Sequence, residues 1–402
     1  MHLTLYPISY TNQDTTQYAI LSRHFLKRIN SVISRLQPQF PRRDEPIVPL
    51  QILRPSGELV DGCVSAMDEE QVLQALHLMM LSRAFDSKGV SLQRQGRFGT
   101  FSPVRGQEAS VVGSAFALNP TQDWIVPQYR ELPALLRHGL PLEQFILYFS
   151  GHPAGGYIPE NVRLLPIQIS IAAQLPHAVG LAWGLKLQGA DSAVLVYFGD
   201  GASSEGDFHE ACNLAGVVKA PVIFFLQNNG WAISTPRSRQ SAARTFAERA
   251  PGYGFDGFVV DGNDLFAVYA VTNVAVARAR AGLGPTLIES QTYRLGPHNT
   301  ADDPTRYISQ DVLNAWSERD PILRVQRYLA ARGCWNDSTA SEFQDSIPRT
   351  IEKAFTTARA VPAPTVADLF RDTYAELTQR QVQQFKELAS SDKDGGIARC
   401  QQ

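Results

Sequence analysis

Continuous apolar runs, rather than alternating ones, mark the middle of this chain. Ala193-Val-Leu-Val-Tyr-Phe198 ends in Gly-Asp-Gly, and Pro221-Val-Ile-Phe-Phe-Leu226 ends in Gln-Asn-Asn-Gly. Phe258-Val-Val-Asp261 and Thr286-Leu-Ile-Glu-Ser290 are two more runs of the same kind. Between them, Phe208 to Val218 and Leu265 to Ala281 read as helices. Strands that are apolar throughout and alternate with helices predict an α/β fold, a parallel sheet with helices on both faces. Such sheets bind ligands at the C-terminal ends of their strands. The polar clusters after Phe198 and Leu226 occupy those ends.

The flanks read differently. Gln37 to Pro46 is proline-rich and predicts an extended linker. Val48-Pro-Leu-Gln-Ile-Leu53 predicts a short strand and Pro55-Ser-Gly-Glu58 a turn. Asp68 and Glu69 open a helix that runs to about Gln95, with Leu73, Leu76, Met80 and Phe85 near helical spacing. Beyond Ser309 the pattern is helical: Trp316 to Ala331, then Ser338 to Ala360, then one more helix after the break Val361-Pro-Ala-Pro364. The polar tail from Ser390 predicts fraying. The expected division is an N-terminal extension and linker (1–64), an α/β domain (65–308) and a helical C-terminal region with a frayed tail (309–402).

Composition narrows the picture. Hydrophobic residues make up 44% and charged residues 19% of 402 positions, enough apolar material for a large core. A formal net charge of −2 gives no overall basic field for nucleic acid. The four cysteines lie far apart without CxxC spacing, against a zinc site or disulfide framework and in favour of a reducing compartment. No apolar run reaches the roughly 20 residues of a membrane helix. Thr15 to Arg43 has no acidic residue but carries Arg23, Lys27, Arg28, Arg35, Arg42 and Arg43. Tyr18 to Leu36 could form an amphipathic helix there. This suits either a mitochondrial transit peptide or, the reading preferred, a basic extension that packs on the protein or a partner.

The chemistry concentrates in two turns. Phe198-Gly-Asp-Gly-Ala-Ser-Ser-Glu-Gly-Asp-Phe208 places small residues where a strand passes into a helix, so that backbone N–H groups can approach a phosphate. Asp200 offers a carboxylate to a hard cation. One strand–helix–strand unit later, Gln227-Asn-Asn-Gly-Trp231 offers the Asn229 amide oxygen and the Trp231 carbonyl. Mg2+ takes oxygen ligands and is commonly completed by phosphates and water. Each turn alone is ordinary. Together, each after an apolar strand, they form the fingerprint of a thiamine diphosphate site.

With these pieces in place, the chain resembles the alpha subunit of the thiamine-diphosphate-dependent decarboxylase component of 2-oxo acid dehydrogenase complexes. The resemblance spans about Met67 to Leu377. Besides the two turns, it rests on Gln95-Gly-Arg-Phe-Gly-Thr-Phe101, Gly106-Gln-Glu-Ala109, Pro127-Gln-Tyr-Arg-Glu131 and Tyr293-Arg-Leu-Gly-Pro-His298 with the following Asn-Thr-Ala-Asp-Asp303. It implies the diphosphate-binding half of the thiamine-diphosphate-binding fold. Asp200, Asn229 and the Trp231 carbonyl would bind Mg2+. Tyr129, Arg130 and the backbone of Gly201 and Ala202 would meet the diphosphate. A guanidinium suits that task because it can grip two phosphate oxygens. Ile171 would be the apolar wedge under the bent cofactor, the Ile169 carbonyl would meet its aminopyrimidine, and His298 would be the active-site histidine. Plainer roles stand beside these: Arg130 in a surface ion pair, Ile171 in the core, Tyr129 packed beside the site, His298 structural. His209, near the start of the following helix, reads as structural or interfacial.

The resemblance implies oxidative decarboxylation of a 2-oxo acid, pyruvate preferred over 3-methyl-2-oxobutanoate, with transfer of the acyl group to the lipoyl domain of a core acyltransferase. It also implies a beta subunit in an α2β2 tetramer, whose glutamate would activate the pyrimidine end of the cofactor. Asn299 follows His298 where the animal branched-chain pattern has a phosphorylatable serine, and Ala173 stands where that pattern has a potassium-site threonine. The first departure fits a bacterial, cytoplasmic enzyme; the second puts the potassium site in doubt. An acetoin-cleaving enzyme and a subunit that binds no cofactor are the other readings.

Overall fold

The computed structural model describes residues 47–371 and 373–393, so the basic N-terminal stretch and the linker expected over Gln37 to Pro46 lie outside the described residues. The sheet is built of β1 (Trp124–Val126), β2 (Val194–Gly199), β3 (Val222–Asn228), β6 (Asp256–Asp261) and β7 (Thr286–Gln291). A two-residue hairpin of β4 (Trp231–Ala232) and β5 (Thr235–Pro236) stands apart from it. The five strands run in the order β1-β2-β3-β7-β6, all parallel.

Both faces are buried, which is why the strands read as unbroken apolar runs. Side chains alternate along each strand. Val194, Val196, Phe198, Val222, Phe224 and Leu226 join one core cluster. That cluster is covered by α5 (Gln174–Leu187) and α6 (Gly206–Val218). Leu195, Tyr197, Ile223, Phe225 and Ile288 join the other. Against this second face lie α2 (Glu108–Phe116) and α7 (Leu265–Arg280), backed by α1 (Glu69–Arg94). The α1 helix starts with a reciprocal capping box between Asp68 and Gln71. Short α3 (Leu132–Arg137) and α4 (Leu142–Phe149) follow β1.

The strand expected over Val48 to Leu53 reduces to isolated bridges, Leu50 to Val260 and Leu53 to Leu59. Asp264 holds this segment: one carboxylate oxygen accepts from the amides of Ile52 at 2.6 Å and Leu53 at 2.7 Å. Its other oxygen caps α7 through Phe266 and Ala267. The helix expected from Trp316 to Ala331 is two, α8 (Gln310–Ser317) and α9 (Pro321–Ala330), because Asp320 caps a new helix with Pro321 at its first position. Then come α10 (Asp337–Arg359), α11 (Asp368–Arg371) and α12 (Gln379–Lys393). The last continues past Ser390, where polar composition predicts fraying.

Register sets the site. Gly199 pairs with Gln227, and Gln227 with Ser290, so the polar ends of β2, β3 and β7 stand level. The strand–helix–strand unit expected between Asp200 and Asn229 is β2-α6-β3.

Candidate active site

A cavity of about 220 Å³ opens at these strand ends. Tyr129, Arg130, Ile171, Asp200, Gly201, Ala202, Asn229, Trp231 and His298 all line it. Ile169 lines an adjoining cavity with Phe101 and Phe149, which meets the first at Tyr129, Ile171 and His298. Ile169 and Ile171 are 53% and 39% exposed, so neither is a core residue in this chain. His209 lies outside both cavities, bonded to Tyr253.

Asp200 follows β2 and is buried, with Oδ2 accepting from Gln240 Nε2 at 2.8 Å. Burial pushes its carboxyl up to about 6, opposed by the Gln240 bond and by the Arg294 charge. A carboxylate withdrawn from water with an amide as its direct partner fits a divalent cation. Asn229 lies across from it: Trp231 N donates to Asn229 Oδ1 at 3.2 Å, and Asn229 Nδ2 donates to Gln107 Oε1 at 3.1 Å. Among the described residues no group of three or more His, Cys, Asp or Glu could hold a metal. A cation here would therefore draw on one carboxylate, an amide and a carbonyl, and leave positions for a ligand's oxygens. Gly201 must be glycine for a steric reason as well, since a Cβ there would stand 2.8 Å from the Cβ of Ala232 in the hairpin.

Two arginines bring positive charge to the site. Arg130 donates through Nη1 to the carbonyl of Pro103 at 2.5 Å and through Nη2 to the carbonyl of His298 at 3.0 Å. It is buried, not a surface ion-pair arginine. Arg294 is wholly buried; its Nη2 donates to the carbonyl of Ile233 and to the Tyr307 hydroxyl, both at 2.7 Å. Its Nε and Nη1 have no partner among the described residues. Two buried guanidiniums with spare N–H groups fit an anionic group such as a diphosphate. Ile233, at the hairpin tip, holds φ at +53°, a strained value for a β-branched residue.

His298 sits in a loop tied down by Asp302, whose Oδ2 accepts from the His298 amide at 2.8 Å and from the Tyr307 hydroxyl. Burial, then the Arg130 and Arg294 charges, push the imidazole down to about 4, while Asp302 opposes them. His298 is therefore neutral at pH 7. Arg130 Nη2 stands 3.4 Å from Nδ1, so Nδ1 accepts and Nε2 carries the proton.

Several further polar residues complete the site; they lie inside the quoted motifs, which gave them no role. Glu131 is fully buried, and burial raises its carboxyl. It accepts from the amides of Gln128 and Arg130 at 3.0 Å each and from Gln227 Nε2 at 2.7 Å. Both its oxygens are thus spent on shaping the loop. Gln107, Gln128, Gln227 and Glu205 also line the cavity. Arg294 and Gln107 lie inside stretches that carry the family resemblance, which is the one sequence signal that could mark them.

Residues 76–367 match the family described as Dehydrogenase E1 component. Over 339 residues, 84% of this chain and 91% of the relative, the chain is 43% identical to the Pyruvate dehydrogenase E1 component subunit alpha of Bacillus cereus. The proteins of the same description from Staphylococcus epidermidis and Staphylococcus aureus are 43% and 42% identical over the same share. No helix among the described residues is long and apolar enough to cross a membrane.

Proposed function

The chain belongs to the dehydrogenase E1 component family, and from that premise we propose that it is the alpha subunit of a thiamine-diphosphate-dependent dehydrogenase that decarboxylates pyruvate. The observation that carries this is a cavity lined by a buried carboxylate, Asp200, and a buried guanidinium, Arg130, with a second buried guanidinium, Arg294, bonded to the carbonyl of Ile233 in its wall. That combination suits a Mg2+–diphosphate group. Bound there, thiamine diphosphate supplies the electron sink for loss of CO2. The chain's own residues do the holding. Asp200, Asn229 and the Trp231 carbonyl take Mg2+; Tyr129, Arg130 and the amides of Gly201 and Ala202 take the diphosphate. Ile171 would pack against the bound cofactor, and the Ile169 carbonyl would face its pyrimidine. His298, neutral, offers the Nε2 proton to the reacting end.

A beta subunit supplies what this chain lacks. The acid needed beside the pyrimidine is not Glu131, whose oxygens are already engaged. The α5 helix leaves Trp183 and Leu187 40% and 74% exposed, and Cβ atoms on Gly180 and Gly184 would meet nothing within 4 Å. An apolar, glycine-notched helix face of this kind supports close packing against another chain. The pair would form an α2β2 tetramer, hand its acyl group to a lipoyl domain of a core acyltransferase, and work in the bacterial cytoplasm.

The test is steady-state turnover by this chain with its cognate beta subunit on pyruvate, 3-methyl-2-oxobutanoate and acetoin. Pyruvate should have the highest kcat/KM, by roughly tenfold or more for the two extra methyl groups. Preference for either of the others would overturn the substrate assignment.

A further inference from the structure

Gln107 opens α2 and is wholly buried at the wall of the cavity, yet its Nε2 has no partner among the described residues. Its orientation follows from the neighbours. The backbone N–H of Trp231 can only donate, so the Asn229 atom facing it at 3.2 Å is the amide oxygen. Asn229 must then turn Nδ2 towards Gln107, which is obliged to present Oε1 at 3.1 Å. What remains is the Gln107 amino group, buried and unspent. A buried N–H costs free energy unless an acceptor, a water or a ligand oxygen in the cavity, meets it.

The backbone holds this arrangement in place before any ligand binds. Gly106, at φ +94°, donates its amide to Glu108 Oε2 at 2.9 Å and accepts at its carbonyl from Thr292 Oγ1 at 2.9 Å. The Gln107 amide donates to the carbonyl of Val104 at 2.9 Å. A side chain on so fixed a backbone is preorganised for its ligand.

We propose that Gln107 is a further cofactor-contacting residue, which couples the metal ligand Asn229 to the diphosphate. Its Oε1 holds Asn229 Nδ2, and Asn229 Oδ1, with a second lone pair beyond the Trp231 bond, stays turned to the cation. Its Nε2 donates to a diphosphate oxygen. This inference rests on the Mg2+–thiamine diphosphate reading of the cavity.

The experiment is calorimetric titration of thiamine diphosphate, at saturating Mg2+, into the full chain assembled with its beta subunit. Gln107→Glu, measured at about pH 8 or above so that the carboxyl is ionised, keeps an oxygen for Asn229 but removes the donor; Gln107→Leu removes both. Each should weaken binding by about tenfold or more, as expected for loss of a hydrogen bond to a charged group. The cofactor-free Gln107→Glu protein should still unfold cooperatively, at a lower midpoint than wild type because it buries a carboxyl group. If Gln107→Leu fails to fold, Gln107→Glu decides alone. Binding by Gln107→Glu within about twofold of wild type would overturn the proposal. A wild-type protein that binds no thiamine diphosphate would instead overturn the reading of the cavity itself.

Discussion

Arg130 donates to the carbonyl oxygen of His298 at 3.0 Å while the same nitrogen stands 3.4 Å from His298 Nδ1, across 168 residues of sequence. The first contact holds the histidine loop against the strand ends. The second sets the tautomer and disfavours the imidazolium, because a guanidinium faces the ring.

Removing the guanidinium should therefore lift part of the depression, the share that burial and Arg294 hold remaining. In Arg130→Met the His298 midpoint should rise from about 4 towards its ordinary 6.5, read by NMR of histidine-labelled protein. An unchanged midpoint would show that Arg130 does not set the protonation state. The linked effect on stability has a definite sign. The unfolded chain takes up this proton near 6.5 and the folded one only near 4, so wild-type stability falls as pH drops through that window.

Asp264 ties the N-terminal segment to α7, with four backbone amides on one carboxylate. Asp264→Ala removes a helix cap and orphans the buried amides of Ile52 and Leu53. The loss should be about 3 kcal/mol, measured as a lowered urea midpoint. A loss under about 1 kcal/mol would mean that water replaces the carboxylate there.

Much of the sheet was legible and parts were not, for reasons that particular residues make plain. β2, β3 and β7 are buried on both faces, so Val194 to Phe198 and Val222 to Leu226 declare themselves as unbroken runs. β1 spans only Trp124–Val126, too short for a period to register. α5 carries apolar residues on its exposed side, Trp183 and Leu187, as well as on its buried one, and so it shows no amphipathic stripe. Within the site, Asp200 and Asn229 were legible from their turns. Gln107 was not, since its partner Asn229 is 122 residues away and only the fold joins them. Glu131 follows the recognisable Tyr129-Arg130 pair, but no pattern distinguishes a carboxylate that shapes a loop from one that reacts.

Gly106 makes a close approach that no side chain can share. At φ +94° a Cβ would stand 2.3 Å from the carbonyl oxygen of Tyr293. Gly106→Ala should cost roughly 1–3 kcal/mol of stability and shift the loop that carries Pro103 and Gln107. Thermal unfolding together with thiamine diphosphate affinity checks this: both should fall. Unaltered affinity in a destabilised variant would separate the loop from the site.

Everything assigned to the cavity depends on Asp200 holding a cation. Titration of thiamine diphosphate with Mg2+ into wild type and Asp200→Ala, each assembled with the beta subunit, puts that to risk. Wild type should bind with Mg2+ and fail with chelator, and binding should weaken as pH falls below about 6, where the Asp200 carboxyl takes a proton. Asp200→Ala should lose affinity by about a hundredfold or more, as for removal of a buried charged partner. Equal binding by the two proteins would contradict the Mg2+–diphosphate assignment.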